Sequence, residues 1–389
     1  MSWVDKCREE LSDVIRRKIY LNNASSGPPP KSVFEAVKSL MDHWDTVGEP
    51  WDYALDKILE AKRLFAELVR VSEDEVAYIP GVSYGFNILL SSLDPPRDSN
   101  IVVSELNFPT AITMAKAMER NGLIKEVRIV KDRGGYTDVS DYERLIDDNT
   151  SIVIVDYVSW LSGYIEDIKF ISELAHKRDA LVISDMFHAI GAIPVNLRDL
   201  EVDIAFTGSY KWLMGLHGAG FMYIKRELLE RVYPRYAGWL GIDDSVFQRR
   251  LRGEEEFKRP FNIYNFKYPS TANRFELGTP PLTAFIALYE ALKFHLRYGG
   301  PEKYYRHTRE LSERLYEGIQ DIGLEMYSHH EKHSPIVTFR YRDPHGLASK
   351  LLNENIEVSA RPGLIRVSPH FYNTFEEIEK LIDALNRLA

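Results

Sequence analysis

From about residue 76 the chain alternates between short β-branched runs and longer amphipathic stretches, and this alternation constrains the fold more than any other feature. Runs at 75–79, 100–104, 124–130, 151–156, 181–185, 203–207 and 220–224 read as strands. Between most of them lie patterns of helical period, such as 110–120, 138–146 and 167–178. Strands that alternate with helices imply an α/β domain whose mainly parallel sheet is covered on both faces. The run Ile152-Val-Ile-Val155 is apolar at every position, as a central strand of such a sheet must be.

The character changes near residue 230, where a segment rich in Tyr, Arg and Pro runs from 233 to 270. Two long helical patterns follow at 281–297 and 302–322, and a last one covers 374–388. These shifts predict a large α/β domain over 31–265 and a smaller α+β domain over 266–389, with residues 1–30 packing on the latter.

Composition narrows the function. The net charge is −9 and no basic run reaches five residues, which argues against a nucleic-acid backbone as the ligand. The single cysteine, Cys7, forms no internal disulfide and no Cys-x-x-Cys metal or redox pair, so a reducing, cytoplasmic setting and no metal centre are expected. The start of the chain is charged from its fifth residue and lacks the apolar core of a signal peptide. The longest charge-free stretch, 76–93, is split by Pro80-Gly81 and reads as strand, turn and helix, not as a membrane span.

Open parallel sheets bind ligands at the carboxyl ends of their strands, so the residues following each strand carry the chemistry. After 75–79 comes Pro80-Gly-Val-Ser-Tyr-Gly85 and then a helical run; Gly81, Val82 and Ser83 at a helix start offer free N–H groups to a phosphate, or else form an ordinary cap. After 181–183 comes Ser184-Asp185-Met-Phe-His188. An aspartate closing a buried strand needs a cationic partner or hydrogen bonds, and a protonated pyridine nitrogen is one such partner. After 203–207 comes Gly208-Ser-Tyr-Lys211-Trp-Leu-Met-Gly215. A lysine in an apolar, aromatic loop has a penalised charged form, and a neutral amine is the nucleophile that a Schiff base requires. Each feature alone has an ordinary structural reading. In this order, with phosphate turn, acid and lysine each at a strand end, they describe a pyridoxal phosphate site.

The sequence resembles the class V, fold type I pyridoxal-phosphate enzymes, the group of cysteine desulfurases, kynureninase, isopenicillin N epimerase and alanine–glyoxylate aminotransferase. The resemblance runs through Tyr20-Leu-Asn-Asn-Ala-Ser-Ser-Gly27, Asp185-x-x-His188-Ala-x-Gly191, Ser209-Tyr-Lys-Trp-Leu213, Phe275-Glu-Leu-Gly-Thr279 and Ile365-Arg-Val-Ser-Pro-His-Phe-Tyr-Asn373. It implies that Lys211 forms the Schiff base, that Asp185 pairs with the pyridine nitrogen and that His188 approaches the ring hydroxyl. Phe108 would stack on the ring, core packing being the other reading. Gly81, Val82, Ser83, Ser209 and Tyr210 would hold the phosphate, with Thr279 reaching the phosphate of a neighbouring subunit in a homodimer. Arg366 would clamp the substrate carboxylate, with Arg361 as its rival, and Asn23 of the opening motif would also face the substrate.

Departures from the family pattern shape the expected activity. Desulfurases carry a mobile-loop cysteine near the C-terminus, whereas the only cysteine here is Cys7. Ser159-Trp160 stands where many members have Asn beside the ring, and Tyr210 precedes the lysine as in kynureninases. The leading expectation is an aminotransferase acting on a small amino acid, with a β-lyase or an epimerase as alternatives. A non-catalytic dimeric relative and an NAD-dependent dehydrogenase are the readings from other classes. Aromatic residues expected around the mouth (His43, Trp44, Trp51, Trp160, Tyr164 and Trp239) fit either a bulky substrate or subunit packing.

Overall fold

The computed structural model describes residues 2–255, 260–262 and 264–388. A seven-stranded sheet forms its centre. It contains β2 (Val76–Ile79), β3 (Asn100–Ser104), β4 (Glu126–Val130), β5 (Thr150–Asp156), β6 (Leu181–Asp185), β7 (Ile204–Gly208) and β8 (Gly220–Ile224), and follows a short β1 (Ile19–Tyr20). The order across the sheet is β2-β8-β7-β6-β5-β3-β4. All pairings are parallel except the two made by β8, which runs antiparallel to both β2 and β7.

The period-two rule splits the central strand between two cores. Val153 and Val155 point into one cluster, with Leu55, Ile58 and Phe65 of the helix Trp51–Val69. Ile152 and Ile154 point into the other, with Phe86 and Leu89 of the helix Val82–Ser92 and with Ala115 of the helix Pro109–Arg120. The result is helix, sheet and helix in three layers, as the alternation of patterns implies.

The smaller unit holds β9 (Val337–Arg340), β10 (Ile356–Glu357), β11 (Ser359–Arg361) and β12 (Leu364–Val367). Strands β11, β12 and β9 form an antiparallel sheet in that order. The helices Gly300–Asp321, Pro344–Asn353 and Phe375–Leu388 contribute to its core. Residues 19–20 pair in parallel with β10, so the opening segment joins this unit.

The boundary expected at 266 puts the helix Leu282–Arg297 in the smaller unit, but much of it packs with the larger one. Phe285, Ile286, Leu288 and Leu292 of the helix Leu282–Arg297 belong to the core shared with the helix Trp51–Val69. Burial on most of its surface ties this helix to the large layer. Among the described residues no helix is long and apolar enough to cross a membrane.

A buried ion pair fixes the approach to the Gly278-Thr279 turn. Lys62 Nζ lies 2.6 Å from Glu276 Oε1 and 2.5 Å from Asn273 Oδ1, and the same Glu276 oxygen accepts the Tyr78 N–H at 3.2 Å. Both charged side chains are at most 5% exposed. Removing one member strands the other in a low-dielectric interior, so Lys62→Met should destabilise the protein by about 3–5 kcal/mol. Adding Glu276→Gln, which keeps an acceptor for Tyr78, should recover most of that loss. Denaturant unfolding of the two variants measures the difference.

Candidate active site

Lys211 follows β7, and its amine is turned inward beside the ends of β5 and β6. Its Nζ lies 2.8 Å from His188 Nε2, 4.1 Å from the centre of the Phe187 ring and 5.6 Å from that of Phe108. The side chains of Lys211 and Asp185 line a cavity of about 220 Å³, together with Gly81, Val82, Ser83, Phe108, His188, Tyr210 and His217. Burial pulls the Lys211 amine down to about 7, against the pull of the Asp185 carboxylate. The expectation of a neutral nucleophilic amine therefore has a physical basis.

Two carboxyls close adjacent strands, because Asp156 of β5 is the register partner of Asp185 of β6. Asp185 Oδ1 accepts the Phe187 N–H at 2.8 Å, and burial pushes its carboxyl above the usual range. Asp156 is raised too, by burial first and by the Asp185 charge second. Its two oxygens accept the Asn107 amide and the Phe108 N–H, each at 2.7 Å. Asp156 thereby anchors the turn that carries the Phe108 ring, and Phe108, 38% exposed, lines the cavity instead of joining the core.

At the other end of the cavity the helix Val82–Ser92 begins. Gly81 is its N-cap and no side chain caps it, so its first N–H groups are free. A Cβ at Gly81 would meet only Tyr84, at 3.6 Å, which leaves space for a ligand above the turn. Tyr210 stacks on His217 at 3.8 Å between ring centres.

The opening segment presses against the lysine loop. Gly27 donates its N–H to Tyr210 O at 2.8 Å, and a Cβ on Gly27 would sit 2.2 Å from the Lys211 carbonyl oxygen. Only glycine permits that approach. Arg361 and Arg366 converge beside it on Ser25, donating to its hydroxyl at 3.1 and 2.8 Å, and Arg366 also donates to the Trp160 carbonyl at 2.6 Å. Both Nε atoms are buried without partners, and no carboxylate among the described residues pairs with either guanidinium. Two uncompensated cations held by one serine form an anion-binding arrangement.

Two expected contact residues, Ser209 and Asn23, are engaged elsewhere in the structure. Ser209 is fully buried and its hydroxyl donates to the Leu216 carbonyl, so it does not line the cavity. Asn23 is also fully buried; its amide donates to Lys211 O at 3.4 Å and accepts from the Tyr372 hydroxyl at 3.1 Å. It braces the lysine backbone, and its side chain is not free for a substrate. Thr279 is exposed and outside the cavity of its own chain. Of the expected mouth aromatics, Trp160 meets Phe108 edge-on at 5.5 Å. Trp51 packs with Trp239 and Phe247, Tyr164 with Tyr136 and His43 with Tyr53, and Trp44 is exposed.

A buried lysine, an acid one strand away and an uncapped helix N-terminus surround one cavity on a three-layer α/β scaffold. The aminotransferase class-V family model matches residues 19–381, and the protein belongs to that family, whose enzymes use pyridoxal phosphate. The chain is 26% identical to a probable cysteine desulfurase of Methanothermobacter thermautotrophicus, covering 97% of this chain and 96% of the relative. It is 26% identical to the uncharacterized aminotransferase YcbU of Bacillus subtilis, over 90% and 89% of the two chains. It is 24% identical to a kynureninase of Shouchella clausii, over 94% and 87%. Among solved structures, a C-DES variant with glycine covalently linked to its pyridoxal phosphate superposes with a TM-score of 0.86 at 21% identity, over 98% and 99% of the two chains. An apo cysteine desulfurase from Thermococcus onnurineus gives 0.85 at 21% identity, over 100% and 98%; both likenesses bear on the fold.

The residues fit that cofactor. The open space above Gly81 and the free N–H groups of the helix Val82–Ser92 suit a phosphate, and Asp185 at the cavity wall suits a protonated ring nitrogen.

Proposed function

We propose that the protein is an aminotransferase for a small amino acid, with Lys211 as the residue that attaches pyridoxal phosphate. The buried Lys211 amine, pulled down to about 7 inside the cavity lined by Asp185 and the Gly81–Ser83 turn, is the observation that carries this reading. When bound, the cofactor supplies an electron sink for a substrate carbanion. Asp185 would keep the ring nitrogen protonated, and Phe108 would cover one ring face. Arg366, more buried than Arg361, would hold the substrate carboxylate and so orient the bond to be broken. Lys211 Nζ would also serve as the base for the proton on the substrate α-carbon.

The thiol chemistry of a desulfurase has no support in this chain. Its only cysteine, Cys7, is fully buried beside Leu11 and Phe294, and burial pushes its thiol up to about 12. A thiol so placed cannot accept sulfur as an enzyme persulfide. A β-lyase needs no such thiol and is the second reading. Product stoichiometry separates the two. Transamination yields one oxo acid per site until an oxo-acid acceptor is added, whereas a lyase releases oxo acid and ammonia continuously without one. Steady ammonia release in the absence of acceptor would overturn the aminotransferase reading.

Capture of the cofactor should depend on pH in the sense set by Lys211. An amine condenses with a carbonyl only as its free base. Attachment to cofactor-free protein should therefore accelerate about tenfold per unit as pH rises toward 7 and level off above it. An ordinary lysine would go on accelerating toward pH 10. Stopped-flow absorbance across pH 5.5–9 (about 0.5-unit steps) reads the profile.

Phe34, Met41 and Trp44 lie exposed on the helix Lys31–Thr46, and Thr279 is exposed outside its own cavity. These features support a homodimer in which Thr279 serves the neighbouring site. The one unpaired thiol is the form that a reducing cytoplasm maintains.

A further inference from the structure

His188 stands between two nitrogen groups. Lys211 Nζ lies 2.8 Å from its Nε2, and the Trp212 indole N–H points at its Nδ1 at 3.2 Å. An indole nitrogen can only donate, so Nδ1 must accept. Neutral imidazole has one N–H, which then resides on Nε2 and is donated to the lone pair of the Lys211 amine. An ammonium at Lys211 would bring a second donor to Nε2 and forfeit this bond.

We propose that Trp212 is a positioning residue: its indole N–H holds His188 in the tautomer protonated at Nε2, and that tautomer keeps the Lys211 amine unprotonated.

Packing fixes the indole for this task. Trp212 is fully buried, its carbonyl lies 3.3 Å from His370 Nε2, and its ring meets His370 edge-on at 5.1 Å. Gly191, at φ +91°, brings the turn after His188 against the Trp212 backbone; a Cβ there would lie 2.7 Å from the Trp212 carbonyl carbon. Other groups bear on the same proton. Asp185, Asp156 and the Phe187 ring face favour an ammonium at Lys211, while burial, Arg366 and Arg361 disfavour it. Burial and the charges of Arg366 and Arg361 also hold His188 neutral, and an ammonium at Lys211 would only add to them, so protonating both of its nitrogens offers no escape. With a cofactor in place, the same tautomer would present its N–H to the ring hydroxyl oxygen. That last point rests on the proposed function, whereas the tautomer itself does not.

The test uses cofactor-free protein. Nitrogen-15 NMR of histidine-labelled protein, with the His188 signals assigned by their loss in His188→Gln, should show a pyrrole-type Nε2 and a pyridine-type Nδ1. In Trp212→Phe the proton becomes free to move to Nδ1, and Nε2 can then accept from an ammonium. The pH midpoint of Lys211 acetylation, followed by peptide mass spectrometry, should rise by about one unit, the size of one hydrogen bond. Where the phenylalanine variant fails to fold, benzothienylalanine at position 212 removes the N–H and keeps the ring volume. A proton on Nδ1 in the parent protein would overturn the proposal, as would an unchanged Lys211 midpoint once the indole N–H is gone. Failure of Lys211 to attach pyridoxal phosphate would instead count against the proposed function and leave the tautomer result standing.

Discussion

Lys211→Ala is expected to abolish covalent attachment of the cofactor and to reduce turnover by about 10⁴-fold or more, since it removes both the nucleophile and the proton-transfer group. Among the described residues Lys211 is the only lysine that lines the cavity, so none of those neighbours can replace it. The substitution leaves the Gly81–Ser83 turn and the helix Val82–Ser92 untouched, and their N–H groups should still bind the phosphate. The fold should survive as well, because among the described residues the only side-chain hydrogen bond that Lys211 makes is to His188. The variant should therefore bind pyridoxal phosphate in a form that gel filtration slowly removes, with no visible band sensitive to borohydride. Activity within tenfold (about 1.4 kcal/mol) of the parent would be incompatible with the assignment.

Asp185→Asn should slow turnover on the order of 10³-fold, several kcal/mol in the barrier, while leaving the fold intact. The amide oxygen can still accept the Phe187 N–H, but the negative charge that would hold a proton on the ring nitrogen is lost. Stability separates this electrostatic loss from a structural one. The folded-state pKa of Asp185 is raised by burial, so the folded protein binds more protons than the unfolded chain and stability falls as pH rises through the raised value. The charge is thus a cost to folding at neutral pH. Cofactor-free Asp185→Asn should be at least as stable as the parent at pH 7, as thermal unfolding can measure. Equal turnover, or a large loss of stability, would make Asp185 a structural residue.

The chemistry was legible where it followed from strand ends. Lys211, Asp185 and the Gly81 turn lie at the carboxyl edge of one sheet, and that edge can be located from alternating patterns alone. Asp156 carries the same signal as Asp185, an acid closing a buried strand. Its effect depends on β5 and β6 being neighbours in register, which patterning does not specify. The role of Ser25 depends on two strands of the smaller unit bringing Arg361 and Arg366 to one hydroxyl contributed by a distant segment. Ser209 shows the opposite failure. The family resemblance implies a phosphate ligand, but the turn aims its hydroxyl at the Leu216 carbonyl. The helix Leu282–Arg297 misleads for a related reason: an apolar helical period shows that a helix is buried, not which layer buries it.

Peptide mapping after borohydride reduction tests the central claim most directly. Protein incubated with pyridoxal phosphate, reduced, digested and analysed by mass spectrometry should carry one phosphopyridoxyl group per chain, on the peptide containing Ser209-Tyr-Lys211-Trp. Label on any other lysine in its place, or an unlabelled Lys211 in protein that turns over amino acids, would contradict the account.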